Sequence, residues 1–155
     1  MDQHDEQQFE RDLLQFWALA FQLVLDGEKR LSELLAAHDL TPPQFYVVKT
    51  LIEHDGKLTI GRLAQLHALT NATMTGLVKR LESLDPPLVL REINERDRRS
   101  VYVVLTDAAR ERFLAVQNEL MAQVGIVLRL IPPDERAKLL YDLSRYAGLL
   151  TGRAL

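Results

Sequence analysis

The sequence predicts a mainly α-helical chain that contains one small β-hairpin. Long stretches repeat apolar residues at intervals of three and four, which is the spacing of one helix face. Two short segments, "LVLREI" and "SVYVVL", instead have the composition of strands, and an arginine-rich stretch separates them. Residues that favour helix ends stand between the helical stretches, so the elements can be assigned in order.

Length and composition exclude several classes of protein. A chain of 155 residues with 47% hydrophobic and 26% charged residues is typical of one globular domain. No apolar run approaches the roughly 18 residues that cross a bilayer, so we expect no membrane partner. The acidic, polar first residues are unlike a signal peptide, which predicts a cytoplasmic location.

The residue types give little support for a metal site or an enzyme. The chain lacks cysteine, which excludes disulfides, thiolate metal ligands and cysteine nucleophiles. Its four histidines show no metal-ligand spacing, so we predict no metal and no cofactor, although a site made of distant histidines and carboxylates stays open. A glycine-rich phosphate loop and a nucleophile elbow are also absent, so we predict no catalytic residues.

The net charge of −3 conceals an uneven distribution of charged residues. Between Lys57 and Arg99 there are eight basic and five acidic residues, whereas the rest of the chain has eleven basic and seventeen acidic ones. A positive middle segment in a negative chain favours a surface that binds an anion. Random variation is the simpler alternative, and this difference alone does not decide between the two.

The first predicted helix runs from Phe9 to about Ala37, which is much longer than an average globular helix. Its apolar stripe contains large aromatic side chains, so the surface that covers it must bury them. Gly27 lies within the pattern and marks a candidate kink or break.

Three shorter helices follow. The first begins at "TPPQ", a capping box with Thr41 as its N-cap, and ends before Gly56, which can adopt the left-handed conformation. Thr59 caps the second, and either Thr70 or Asn71 caps the third.

The third of these helices, which extends to about Ser83, has two unlike faces. Its predicted core face is Met74, Leu77, Val78 and Leu81. The opposite face is polar and basic, with no acid before Glu82. A solvated helix usually mixes acids with bases as i,i+4 pairs. Amide, hydroxyl and cationic side chains without acids instead suit contact with base edges and phosphates.

The arginine-rich stretch lies at the tip of the predicted hairpin, between strands "LVLREI" and "SVYVVL". Asp85-Pro86-Pro87 separates this hairpin from the preceding helix. Thr106 then caps a long helix, and a last helix follows "IPPDE". A solvated turn is the alternative interpretation of the tip, because acids alternate with its arginines.

This order of elements, with the segments "LTIGRLAQLHALTNATMTGLVKRLE" and "RDRRSVYVVLT", resembles the MarR family of transcriptional regulators over nearly the whole chain. The second segment contains the family's Asp-x-Arg, here Asp97 to Arg99. The resemblance implies a winged helix-turn-helix at about 41–106, flanked by long dimerisation helices at about 6–38 and 107–151. The chain differs from the family where Asp85-Pro86-Pro87 replaces the usual glycine after the recognition helix, so the resemblance does not determine the angle of the wing.

The resemblance also implies a function and the residues that carry it. The expected protein is a homodimeric repressor that binds a pseudo-palindromic double-stranded DNA operator and is released by a small lipophilic or phenolic anion. The candidate DNA-binding residues are Asn71, Thr73, Thr75, Lys79 and Arg80 on the recognition helix, and Arg96, Asp97, Arg98 and Arg99 on the wing.

Two further alternatives stay open at this point. Trp17, Phe21 and Phe45 are candidates for contact with an effector, but core packing explains any one of them equally simply. The alternative function is a winged-helix protein–protein interaction module that does not bind DNA. Such a module would carry acids or exposed apolar residues on the recognition face.

Overall fold

The computed structural model describes the backbone of residues 3–93 and 100–150. The chain divides into two compact units, Met1–Val116 and Gln117–Leu155. The helices are α1 (Gln3–Ala36), α2 (Pro42–Glu53), α3 (Ile60–Leu66), α4 (Asn71–Glu82), α5 (Asp107–Arg129) and α6 (Pro133–Leu150). The strands are β1 (Lys57–Thr59), β2 (Val89–Ile93) and β3 (Val101–Leu105). The predicted fold class, mainly helical with a small β-hairpin, is confirmed.

The core of the first unit lies between α2, α3, α4 and the sheet. Apolar side chains from each of these elements are fully buried there. They include Leu51, Leu63, Met74, Leu81, Leu88 and Val103. All four residues of the predicted core face of α4 are buried, because their spacing aligns them on the side of the helix that packs against α2, α3 and β2.

The sheet has three antiparallel strands in the order β1-β3-β2. The predicted hairpin is confirmed as β2 and β3, with Val89 opposite Leu105 and Ile93 opposite Val101. β1 was not predicted from the sequence. It has only three residues, too few for a period-two pattern, and it forms because β3 offers its free edge, with Leu58 opposite Val103.

The predicted N-caps Thr41, Thr59 and Thr106 agree with the structure. The Gln44 side chain accepts a hydrogen bond from the Thr41 backbone N–H at 2.8 Å, as in a capping box. Thr59 and Thr106 accept from backbone N–H groups of α3 and α5 at 3.1 and 3.2 Å. Thr70, rather than Asn71, is the N-cap of α4.

Helix α1 begins at Gln3 rather than at Phe9, and it continues without a break through Gly27, so the suggested break at this residue is wrong. A glycine lowers the stability of a helix by about 1 kcal/mol relative to alanine. This loss is too small to interrupt an otherwise regular helix of 34 residues. Among the α1 side chains that the structure describes, only Leu34 and Leu35, in its last turn, are buried.

The second unit consists of the end of α5, a short turn and α6. The Arg136 guanidinium donates a hydrogen bond to the Leu128 carbonyl oxygen at 3.2 Å and so closes the turn between the two helices. Within the described part of the chain, no helix is both long enough and apolar enough to cross a membrane.

Candidate nucleic-acid interface

Helices α3 and α4 form a helix-turn-helix. The turn begins at His67, passes through Ala68 with a left-handed φ of 52°, and ends at Thr70. The Leu69 backbone N–H donates to the Ala64 carbonyl oxygen at 2.9 Å, which closes the end of α3. The Thr70 hydroxyl accepts from the Thr73 backbone N–H at 3.1 Å and starts α4 in a fixed direction.

The outer face of α4 is accessible, whereas its inner face is fully packed. Asn71, Thr73, Lys79 and Arg80 are exposed, and Thr75 is half-buried. The structure therefore brings the five predicted recognition-helix residues onto one side of one helix. Two cations lie in its last turn and its first turn has no acid.

The polar groups on this face are held in different ways. The Thr75 hydroxyl donates to the Asn71 carbonyl oxygen at 2.7 Å, and the Thr73 hydroxyl lies 2.9 Å from that of Thr70. Neither Lys79 nor Arg80 has an ion pair with any residue that the structure describes. Their charges are thus free to attract an anion such as a phosphate.

A hydrogen bond ties the turn of the motif to α2. His67 Nε2 lies 3.0 Å from the Thr50 hydroxyl oxygen. Partial burial of the imidazole lowers the pKa of His67 below its ordinary value of 6.5, because desolvation disfavours the charged form. The neutral ring therefore maintains this contact at neutral pH.

The hairpin after α4 corresponds to a wing. Its base is attached to the core through buried Leu88 and Val89, and the Leu88 backbone N–H donates to the Leu81 carbonyl oxygen at 3.0 Å. The predicted tip residues Arg96, Asp97, Arg98 and Arg99 lie outside the residues that the structure describes. Their role in binding stays a prediction.

Two ion pairs involve β2, and the sequence did not predict either. Arg91 contacts Glu82, the last residue of α4, while Lys57 Nζ lies 2.5 Å from Glu92 Oε2. Lys57 Nζ also lies 4.7 Å from the centre of the Tyr102 ring. The partners are 9 and 35 positions apart in the chain, so no helical or strand period connects them.

The three candidate effector residues fall in two different environments. Phe45 is buried, and its ring stacks on that of Phe113 with centroids 5.2 Å apart. Trp17 and Phe21 contact each other on α1 at 4.8 Å and stay 62% and 50% exposed. Among the described residues, the ring contacts do not join Phe45 to the other two. An effector role for these residues remains a prediction.

No metal site appears among residues 3–93 and 100–150, where His, Asp and Glu form no cluster of three suited to an ion. The arrangement of the site is instead that of a binding surface: a helix-turn-helix with a polar, cationic helix face, followed by the β2–β3 hairpin of a three-stranded sheet.

Comparison with known proteins agrees with a helix-turn-helix binding surface. The MarR family model matches residues 40–101. HTH-type transcriptional regulator TtmR of Methylorubrum extorquens is 33% identical over 124 residues, covering 78% of this chain and 60% of TtmR. An uncharacterized HTH-type transcriptional regulator of Bacillus subtilis, YfiV, is 32% identical over 106 residues, covering 68% of this chain and 64% of YfiV. The chain thus spans less than two thirds of the length of these relatives.

Solved structures extend the similarity beyond the matched segment. A MarR family protein from Bacillus stearothermophilus is 26% identical with a TM-score of 0.77, covering 92% of this chain and 97% of that protein. The helix-turn-helix and the hairpin that follows it are therefore a winged helix-turn-helix. The chain carries a domain of the MarR family, a family of transcriptional regulators rather than enzymes.

Proposed function

We propose that this protein is a sequence-specific DNA-binding transcriptional regulator that uses α4 as its recognition helix. One observation carries the proposal: the outer face of α4 presents an amide, hydroxyls and two cations without an ion-pair partner among the described residues, while its inner face is buried. A helix of this kind fits the major groove, where side chains reach base edges and phosphates. Binding to chromosomal DNA also accounts for the expected cytoplasmic location.

Selection of DNA from a random duplex library by the purified protein tests this proposal. We expect one sequence to be enriched and to bind far more tightly than random duplex. Lys79→Gln should weaken binding to all sequences and reduce the dependence on salt by about one phosphate contact. Lys29→Gln is the matched control, because it removes the same charge from α1, where Lys29 lies 4.0 Å from Glu33. Failure to enrich any sequence would overturn the proposal.

We further propose that the regulator acts as a homodimer. Each unit leaves rows of large apolar side chains exposed, such as Phe9 and Trp17 on α1 and Tyr141 and Leu143 on α6. Monomeric proteins seldom expose apolar patches beyond a few hundred Å², so a second copy is the simplest cover. A twofold dimer presents two recognition helices, which matches a pseudo-palindromic operator whose half-sites lie about one helical turn apart.

The proposal also covers whether the protein represses or activates transcription and which kind of ligand controls it. We propose that the protein represses transcription and that a lipophilic or phenolic anion releases it from DNA. Such a ligand acts only if it binds the free dimer more tightly than the operator-bound dimer. Titration of both forms with salicylate, as the simplest aromatic anion, measures this difference. Equal affinity of salicylate for both forms would argue against release by this ligand.

A protein–protein interaction module is the alternative. It would require exposed acids or apolar residues on the outer face of α4, where this chain has Lys79 and Arg80. The recognition face therefore favours DNA.

A further inference from the structure

An ion pair joins the recognition helix to the wing. Arg91, on β2, donates from Nε to Glu82 Oε2 at 2.8 Å, and its Nη2 lies 2.7 Å from the same oxygen. Glu82 is the last residue of α4. Both side chains are about one third exposed, and two donors on one rigid guanidinium fix the relative direction of the two groups.

The position of Glu82 is unfavourable in two respects. The C-terminal end of a helix carries partial negative charge and disfavours an acid. An acid at the end of the proposed recognition helix also repels DNA phosphates. Arg91 offsets both effects, and it is thereby occupied within the protein. Arg91 is one of the eight basic residues between Lys57 and Arg99, and in the structure it pairs with Glu82.

The geometry shows what this contact adds to the fold. Apart from it, a backbone hydrogen bond joins the base of the hairpin to α4, where the Leu88 N–H donates to the Leu81 carbonyl oxygen and both side chains are buried. Arg91 lies three residues further along the strand, about 10 Å from that attachment. A second attachment at this distance restricts rotation of the hairpin about the first. It also does so beyond the Asp85-Pro86-Pro87 segment, whose residues are exposed.

We propose that Glu82 and Arg91 are a positioning pair that sets the angle between the recognition helix and the wing, and that operator specificity depends on this angle. The inference rests on the proposed DNA-binding function. If the angle is correct, α4 and the hairpin reach adjacent grooves together. If the pair is broken, either element still attracts phosphates, but the two no longer fit one operator at once.

The proposal makes a prediction opposite to that of simple electrostatics. Glu82→Gln removes a negative charge beside the DNA, so electrostatics alone predicts tighter binding to every sequence. A loss of positioning instead weakens operator binding about tenfold, within the range expected for one lost specific contact, while binding to random duplex stays equal or becomes tighter. The ratio of the two affinities therefore falls.

Glu92→Gln is the matched control. Glu92 is the next residue on the same strand, is also paired with a cation, and does not contact α4 through that pair. Its substitution removes the same charge as Glu82→Gln, but from β2 rather than from α4. We expect operator and random-duplex binding to change together, so that their ratio is preserved.

Two further variants separate positioning from charge. Arg91→Lys keeps the charge but loses the two-donor geometry, so operator binding should fall without any change in binding to random duplex. The exchange Glu82→Arg with Arg91→Glu keeps the net charge and restores an ion pair, so it should recover most of the lost specificity. Circular dichroism confirms that each variant retains its helices.

The experiment compares these variants on the duplex selected by the wild-type protein and on random duplex of equal length, at matched salt. A lower affinity ratio for Glu82→Gln, with an unchanged ratio for Glu92→Gln, supports the positioning pair. An equal or higher ratio for Glu82→Gln, or no recovery in the exchanged variant, overturns it. If the wild-type protein selects no duplex at all, the DNA-binding function has failed, which is a distinguishable result.

Discussion

Helices α1 and α4 are both amphipathic, yet they differ in how much of the apolar face is buried. Four of the twelve residues of α4 are buried, all on one face. Helix α1 is almost three times as long and buries two leucines in its last turn, while its aromatic residues stay exposed. The winged unit thus buries a core of its own, whereas the exposed apolar residues of α1 fit the proposed dimer interface. Stability should depend on the first region and assembly on the second.

The largest expected difference is between two leucines. Leu81 is fully buried in α4, and Leu23 on α1 is 75% exposed. Leu81→Ala should lower the free energy of unfolding by about 2–5 kcal/mol, because it leaves a cavity in the core. Leu23→Ala should cost little in dilute protein and more in concentrated protein, where the dimer forms. Urea unfolding at two protein concentrations checks both, and equal losses for the two variants would remove the distinction between the regions.

Substitutions at the wing tip should have the next largest effect, which is on operator binding. We expect Arg99→Ala to weaken operator binding by about 1–3 kcal/mol and to relax preference at flanking positions, since an arginine gains most in a narrow minor groove. Asp97→Ala should also weaken binding although it removes a negative charge, because the tip loses a support for its arginines. Titration of one labelled operator with the wild-type protein and with each variant, at matched salt, measures these changes. Tighter binding by Asp97→Ala would mean that the tip is only a solvated turn.

A substitution at Gly56 tests the backbone conformation of the turn after α2. Its φ is +80°, and a Cβ added there would lie 2.6 Å from Arg110 Nη2 and 3.6 Å from Leu105 Cβ. The arginine side chain can move, but the left-handed backbone remains unfavourable, so Gly56→Ala should cost about 1–2 kcal/mol. Thermal unfolding measures this loss. An unchanged melting temperature would show that the turn after α2 adopts another conformation.

Alanine substitutions at Gly76 and Gly27 should have a smaller effect on stability, and they should differ in their effect on operator binding. Both lie inside helices, and an added Cβ meets nothing within 4 Å at either position. Alanine at either position should stabilise its helix by about 1 kcal/mol. Only Gly76→Ala should also weaken operator binding, because Gly76 lies on the recognition helix. Operator affinity is measured for both variants at protein concentrations well above the dimer dissociation constant. Equal affinities for the two variants would exclude close approach of DNA at Gly76.

His67 gives the smallest effect. Because burial lowers its pKa in the folded state, the unfolded chain binds more protons between that lowered pKa and 6.5. Stability should therefore fall as the pH falls through 6.5 towards the folded pKa. His67→Gln should flatten this part of the pH profile, whereas Thr50→Val, which removes only the hydrogen-bond partner, should keep it. Urea midpoints measured across this range test the contribution, and an identical profile for His67→Gln would refute it.

Local patterns explain why much of the winged unit could be predicted from the sequence. The core face of α4, the caps at Thr41, Thr59 and Thr106 and the two strands of the hairpin each depend on residues within a few positions of one another. Such patterns report local geometry and burial directly. The same logic located the recognition-helix candidates, because they occupy the face opposite a predicted core.

The features that escaped prediction depend on distance in the chain. The Glu82–Arg91 pair requires the path between α4 and β2, and the Thr50–His67 contact requires the packing of α2 on the turn. Strand β1 exists only because β3 offers an edge. The length of α1 was close to its prediction, but the glycine suggested a break that neighbouring helical turns prevent.

Sedimentation of the protein with its selected duplex tests the central claim most directly, namely that the exposed helices join two copies and that the two α4 helices then bind one operator. We predict a dimer in the absence of DNA and two protomers on each duplex, with two related half-sites about one helical turn apart. A helical monomer at micromolar concentration, or a single protomer on an asymmetric site, would contradict this account.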